Sequence, residues 1–340
     1  MTNRKHYLDN LRSIAILMLF PYHTFMIYNN WGELFYVNGP GLKAPSVFLS
    51  INWIWMMPLL FSIAGVSSRY ALERRSVGEY AKNRVSKLLV PLIFGLLLLI
   101  PMQTYLASQF HNGQANYLNY FTKLTDFSGV DGSFTPGHLW FILFLFIIST
   151  LSLPFMIWYK KKGKGSLGNH VPLVVVVFMG LIPCLGNMLF ELGGKSPTEY
   201  LAFFLLGYYF LSNERILERL DKYRFLLLLL AVAGAALTNV YDHVLSEAVS
   251  WLALLSVLGL GRHSLNFRSK ASAYLSKSSF GVYVFHQFWL VIAAFLTFKV
   301  TDNPWVQIPA IMLSSILLTY LTYELFHHIP AFRWMFGLKK

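Results

Sequence analysis

Ten apolar segments, most of them close to the length of a membrane-crossing helix, follow one another along this 340-residue chain. A bilayer's hydrocarbon core is about 30 Å thick and takes about 20 helical residues to cross. The segments are Leu11–Tyr28, Asn52–Tyr70, Leu88–Ala107, His138–Tyr159, Val171–Leu189, Thr198–Leu211, Phe225–Val240, Leu245–Leu260, Ser279–Phe298 and Trp305–His327. Backbone polar groups inside hydrocarbon must be satisfied within the chain itself, which makes such segments α-helices. The expected fold is therefore an all-α integral membrane bundle of about ten transmembrane helices, a single domain over residues 1–340. The sixth, seventh and eighth segments are short for a span, so they extend into their loops or pack centrally. Composition agrees: 13% of residues are charged, against about 25% in a soluble domain.

The basic residues give this reading a direction. With a cytoplasmic N-terminus and ten crossings, only Lys43, Lys123, Lys195 and Lys299 of the 28 lysines and arginines fall on the outer side. The rest, from Arg4 through Lys164 to Lys340, fall on the cytoplasmic side. That alternation is the positive-inside pattern and predicts two cytoplasmic termini. It also accounts for the net charge of +13, which in a soluble protein would suggest nucleic acid; no nucleic-acid partner is expected. Cys184 is the only cysteine, excluding an internal disulfide and a cysteine-rich metal site. The polar YNNWGE after the first segment offers no small-residue cleavage site, so that segment reads as a retained span. No internal repeat is evident.

Ionisable residues inside spans are costly and mark candidate function. The first span reads RSIAILMLFPYH, with Arg12 near its start and His23 deep within it. Eleven helical positions are a rise of about 16 Å and fall within roughly 20° of three whole turns. Arg12 and His23 thus share one helix face, spaced for a long ligand with an anionic head at the surface and a reactive end at His23. Imidazole is the usual base or nucleophile near neutral pH; a packing histidine bonded to a neighbouring helix is the plainer reading. Asp9 lies three residues before Arg12, placed for a local ion pair. Arg84 and Lys87, in NRVSKLLVP, share a face at the start of the third span and with Arg12 form a candidate phosphate cluster. His286 lies mid-span in SFGVYVFHQFWL, and His138 opens the fourth span in PGHLWFI. Glu324, in TYELFHHIP, is a carboxylate in an apolar helix and calls for an Arg or His partner from another span. His327 and His328 diverge on a helix, and no HExxH, CxxC or G-x-S-x-G motif occurs, so no metal site is expected. The outer loops Asn29–Ile51 and Ser108–Gly137 are long, aromatic and neutral-polar, a composition that suits an uncharged polyhydroxylated partner.

These segments resemble a known family. YLDNLRSIAILMLFPYH is similar to the opening of the acyltransferase family 3 membrane proteins, which carry Arg or Lys, ten residues, then His. FSIAGVSSRYALERRSVGEYAKNRVSKLLVP resembles their second span, basic loop and third-span entry; HLWFILFLF and GVYVFHQFWL resemble their fourth and ninth spans. IPMQTYL and GHLWFILFLFI bring the chain nearest to the glucan-modifying branch. The resemblance implies a cell-membrane enzyme that moves an acyl group, acetyl or succinyl, from cytoplasmic acyl-CoA to a hydroxyl of an extracytoplasmic glycan. It places His23 at the family's essential histidine and Arg12 at the paired basic position; His286, Glu324 and His138 are supporting candidates on the residues' own reading. The family's third-span motif is Arg, two residues, Arg; here Arg84 is followed by Lys87, which keeps the charge but not a second guanidinium fork. No esterase-like segment follows the last span, so the membrane domain is expected to handle the acceptor. His23 is compatible with two roles, general base on the acceptor hydroxyl and transient acyl carrier. From the residues alone, a proton-coupled sugar or lipid transporter using His23, His286 and Glu324, or a non-catalytic receptor or scaffold, also stands.

Overall fold

The computed structural model describes residues 5–124, 129–162, 171–237 and 243–339. Arg4, Lys164, Lys340 and the Val240 end of the seventh segment lie outside these, as do residues 125–128 of the second outer loop. Every described element is helical. In chain order they are α1 (His6–Leu17), α2 (Leu19–Met26), α3 (Lys43–Arg74), α4 (Val77–Asn112), α5 (Gly137–Leu151), α6 (Leu153–Lys161), α7 (Leu173–Asn187), α8 (Pro197–Leu206), α9 (Glu214–Lys222), α10 (Arg224–Leu237), α11 (His243–Ser264), α12 (Lys270–Thr297), α13 (Pro304–His328) and α14 (Pro330–Met335).

Among the described residues each of the ten apolar segments overlaps helix. By length and composition four helices, α3, α4, α12 and α13, suffice to cross a membrane, and the bent pair α5–α6 makes a fifth. The breaks follow the prolines. A proline ring displaces the carbonyl four residues earlier and removes one helical hydrogen bond. Pro21 does this to Leu17, where α1 ends and α2 restarts after Met18. Pro154 does it beside Ser152, where α5 and α6 meet at 42°. Pro91 does it to Lys87, inside a π-helical turn over Val85–Leu89 within α4. The first outer loop is shorter than the sequence suggested: α3 begins at Lys43, leaving Asn29–Leu42. Pro45 is accommodated because the first helical turn needs no donor there.

The chain divides into two compact units. The first comprises residues 1–15, 53–84 and 144–276. Its α3 and α8 meet at glycines: a Cβ on Gly65 would fall inside the carbonyl oxygen of Phe204, and one on Gly207 inside that of Ser62. The hydroxyl of Ser62 donates to Phe203 O at 3.2 Å, and Phe61 stacks on Tyr200 at 4.6 Å. Small residues here let two backbones approach closely, which is how helices associate where lipid offers no hydrophobic drive. Amphipathic α9, capped by Asn213, buries Ile216, Leu217 and Leu220. Its Glu214 pairs with Lys5 and Arg262. Burial alone would raise that carboxyl's pKa, but hydrogen bonds from the two cations outweigh it and hold it below the usual carboxylate range.

The second unit comprises residues 16–52, 85–143 and 277–340. Ile27, Tyr28, Val37, Leu290, Ala293, Ala294 and Ile311 form a core, and the Tyr28 hydroxyl donates to Gln307 Oε1 at 2.9 Å.

The glycine crossing yields a contrast. Gly65→Ala forces α3 away from α8 and should cost about 1–3 kcal/mol, the scale of an overpacked core. Gly78→Ala, with nothing within 4 Å of the added methyl, should be neutral or slightly stabilising. Thermal unfolding in detergent compares them; equal stability of the two variants would contradict the close crossing.

Candidate active site

Three histidines from three distant stretches of sequence converge inside the second unit. His286, on α12, is fully buried. The His23 ring centroid lies 5.2 Å from it and that of His138 5.1 Å from it. His23 is half-buried whereas His138 is buried, so His23 is the accessible member of this histidine row. Their positions have separate causes. Pro21 restarts the first span as α2, which carries His23. Gly137, with φ +51°, turns the chain into α5 where a Cβ would crowd the Tyr36 hydroxyl and Ile100. His138 follows at once.

Backbone carbonyls fix two of the rings. A carbonyl only accepts, so a ring nitrogen bonded to one must carry the proton. His138 Nε2–H donates to Val284 O at 2.9 Å, and the Tyr283 hydroxyl donates back to His138 O. His286 Nδ1–H donates to Tyr283 O at 2.7 Å. His138 is thereby the Nε2–H tautomer and His286 the Nδ1–H tautomer. The opposite nitrogens, His138 Nδ1 and His286 Nε2, are buried without a hydrogen-bond partner among the described residues. Each is an open lone pair in the protein interior.

Phe35, from the first outer loop, lies nearly parallel to the His23 ring, 5.9 Å away with 10° between the planes. The loop that brings it there is tightly bonded. Asn29 donates to Glu33 O at 2.8 Å and accepts from Glu33 N at 3.0 Å. Asn38 accepts from Phe35 N at 2.8 Å. His111 Nε2–H donates to Phe35 O at 2.9 Å. The sequence marked this loop by its composition alone; Phe35 and Tyr283 were not among the residues it singled out.

The other candidates have partners of their own. Arg12, in the first unit, donates to Asp9 at 2.8 Å, the ion pair its spacing predicts, and to Ser276 at 3.2 Å. Arg84, also in the first unit, lies over the Tyr80 ring at 4.8 Å, and its Nε is buried with no hydrogen-bond partner among the described residues. Lys87, in the second unit, donates to Gly337 O and Leu338 O at 3.1 and 3.4 Å, tying down the chain after α14. Glu324 is half-exposed and lies 3.9 Å from His328 of its own helix. Among the described residues no group of three or more His, Cys, Asp or Glu side chains is arranged to hold a metal ion.

The model of the family described as "Acyltransferase domain" matches residues 5–324. Proteins called "Glucans biosynthesis protein C" from Escherichia coli strains ED1a, 536 and HS are each 23% identical over 377 aligned positions, covering 99% of this chain and 95% of theirs. No solved structure matches.

Histidine-selective 15N NMR tests the tautomers. The His286 signal should show a protonated Nδ1 and an unprotonated Nε2, and that of His138 the reverse, each assigned by its loss in the single Gln variant. The same tautomer at both residues would contradict the hydrogen bonding described.

Proposed function

The chain belongs to the acyltransferase family whose model spans residues 5–324 and is a membrane acyltransferase; from that premise we propose that it moves an acetyl or succinyl group from cytoplasmic acyl-CoA to a hydroxyl of an extracytoplasmic glucan or similar glycan. The carrying observation is the histidine row, with half-buried His23 as its accessible member and buried His286 beside it. The names of the relatives support a glucan as acceptor. The alternating basic loops support ten crossings, both termini in the cytoplasm and residence in the cell membrane.

In this reading His23 is the general base. It removes the proton from the acceptor hydroxyl as that oxygen attacks the thioester carbonyl. A C–O ester bond forms, the C–S bond breaks, and the proton passes to the departing thiolate, leaving His23 neutral for the next turnover. Phe35 lies nearly parallel to the ring and His286 lies against it, which is the positioning such a transfer requires. A base role needs no covalent intermediate on the ring, and we take it as the reading to test first.

Assigning the donor's phosphates to Arg12, Arg84 and Lys87 comes from the sequence. Arg84 fits it best, because its buried Nε lacks a partner that a phosphate oxygen would supply. Arg12 has an exchangeable ligand in Asp9. Lys87 would have to share an ammonium already donating to two carbonyls. Charge-assisted bonds contribute roughly 1.5–3 kcal/mol each.

Inverted membrane vesicles loaded with glucan and supplied externally with radiolabelled acyl-CoA test the reading. Wild type should esterify the enclosed glucan, detected by mass spectrometry. His23→Gln, which keeps a hydrogen bond but not a base, should lose at least about a hundredfold in rate while still binding acyl-CoA. Full transfer by folded His23→Gln would overturn the proposed role, and no esterified glucan with wild type would overturn the acceptor.

A further inference from the structure

The first outer loop does more than place Phe35. Ahead of it runs an exposed turn, Asn30 to Leu34, with two side chains that form a small recognition surface. Trp31 is 47% exposed, and its indole Nε1–H donates to Glu33 Oε2 at 3.1 Å. The bond closes across Gly32, whose φ of +78° places it in the left-handed region with open space around it. The indole is thus held at one edge and open on its face, beside a carboxylate. Among the described residues no cation pairs with that carboxylate.

We infer that Trp31 and Glu33 form the sugar-binding subsite for the acceptor, the indole face stacking on the C–H face of a pyranose while Glu33 accepts hydrogen bonds from its hydroxyls. This rests on the carbohydrate-acceptor reading above. The chemistry selects the ligand class. A pyranose offers an apolar face bordered by hydroxyl donors, matching an aromatic face bordered by an acceptor. A carboxylate has about four lone-pair sites and no donor, and the indole uses one of them. An anionic ligand would be repelled by Glu33, and a hydrocarbon chain would leave its charge unsolvated. A tryptophan serving only as an interfacial anchor, with its polar edge at the headgroups, has no need of this carboxylate.

The subsite is joined to the accessible member of the histidine row. Asn29 binds both the amide and the carbonyl of Glu33, and Asn38 donates to Glu33 O at 3.2 Å. Two residues further on, Phe35 lies on His23. Chain connectivity keeps Trp31 within about 14 Å of Phe35, a span a short oligosaccharide covers. A glucan gripped at Trp31 therefore presents hydroxyls of nearby sugar units to His23. Such an arrangement favours chains over single sugars.

The test measures acyl transfer to a neutral glucan oligosaccharide, and its direct binding by calorimetry, for wild type, Trp31→Ala, Trp31→Phe and Glu33→Gln. Trp31→Ala should raise the acceptor KM and Kd about tenfold, as loss of a stacked aromatic predicts; Glu33→Gln should raise them several-fold, and Trp31→Phe should retain most of the affinity. The donor KM should stay within about twofold throughout. Wild type that neither acylates nor binds the oligosaccharide overturns the acceptor reading and this inference with it. Wild-type transfer with an acceptor KM unmoved by Trp31→Ala and Glu33→Gln overturns the inference alone. So does a loss of thermal stability in Trp31→Ala without a change in acceptor KM, which identifies a membrane anchor.

Discussion

Hydrocarbon supplies no hydrogen-bond partner, so a polar side chain buried in a span must be satisfied by protein. In the second unit that requirement falls on α12 and the start of α5. His138 spends its one N–H on Val284 O, and Tyr283 spends its hydroxyl on His138 O. This reciprocal pair fastens the two segments together three residues from His286. With the bond from His286 to Tyr283 O, each of the two imidazoles has one committed nitrogen and one open lone pair. The arrangement of the rings is a by-product of how the interior is satisfied: the hydrogen bonds to backbone carbonyls also determine which nitrogens keep an open lone pair.

From that anchor the remainder of the unit follows. Pro21 interrupts the first span, and α2 carries His23 against the buried His286 ring. Gln307 on α13 meets Tyr28 at the far end of α2, and the two Asn side chains of the outer loop hold Phe35 over His23. The first unit is built on different physics. It is packed by close glycine crossings and by a surface ion network around Glu214, and Arg12 and Arg84 reside there.

Much of this was legible in the sequence, and the rest was not for identifiable reasons. Hydropathy located apolar helices because apolar length is a local property, and four or five of them are long enough to cross a membrane. The i, i+3 spacing of Asp9 and Arg12 announced their ion pair. His23 and His286 were singled out as ionisable groups within apolar spans, and His138 as a histidine at the outer start of the fourth. That they meet was invisible, because helix periodicity reports which face a residue occupies and not which face it opposes. Glu324 illustrates the converse: a carboxylate that looked stranded is half-exposed near the end of its helix and faces a histidine one turn away. The ammonium of Lys87 donates to a carbonyl 250 residues further along, a contact no local pattern encodes. Phe35 was hidden because a loop's composition does not reveal which of its aromatics turns inward.

The central claim is that His23 and His286 work as one unit, and a double-mutant cycle measures this most directly. Rates of acyl transfer would be compared for wild type, His23→Gln, His286→Gln and the double variant, each checked for folding. Residues that act together give strongly non-additive losses. The account predicts that the double variant is no slower than His23→Gln alone. Losses that simply multiply would mean that His286 acts independently of His23, and would contradict it.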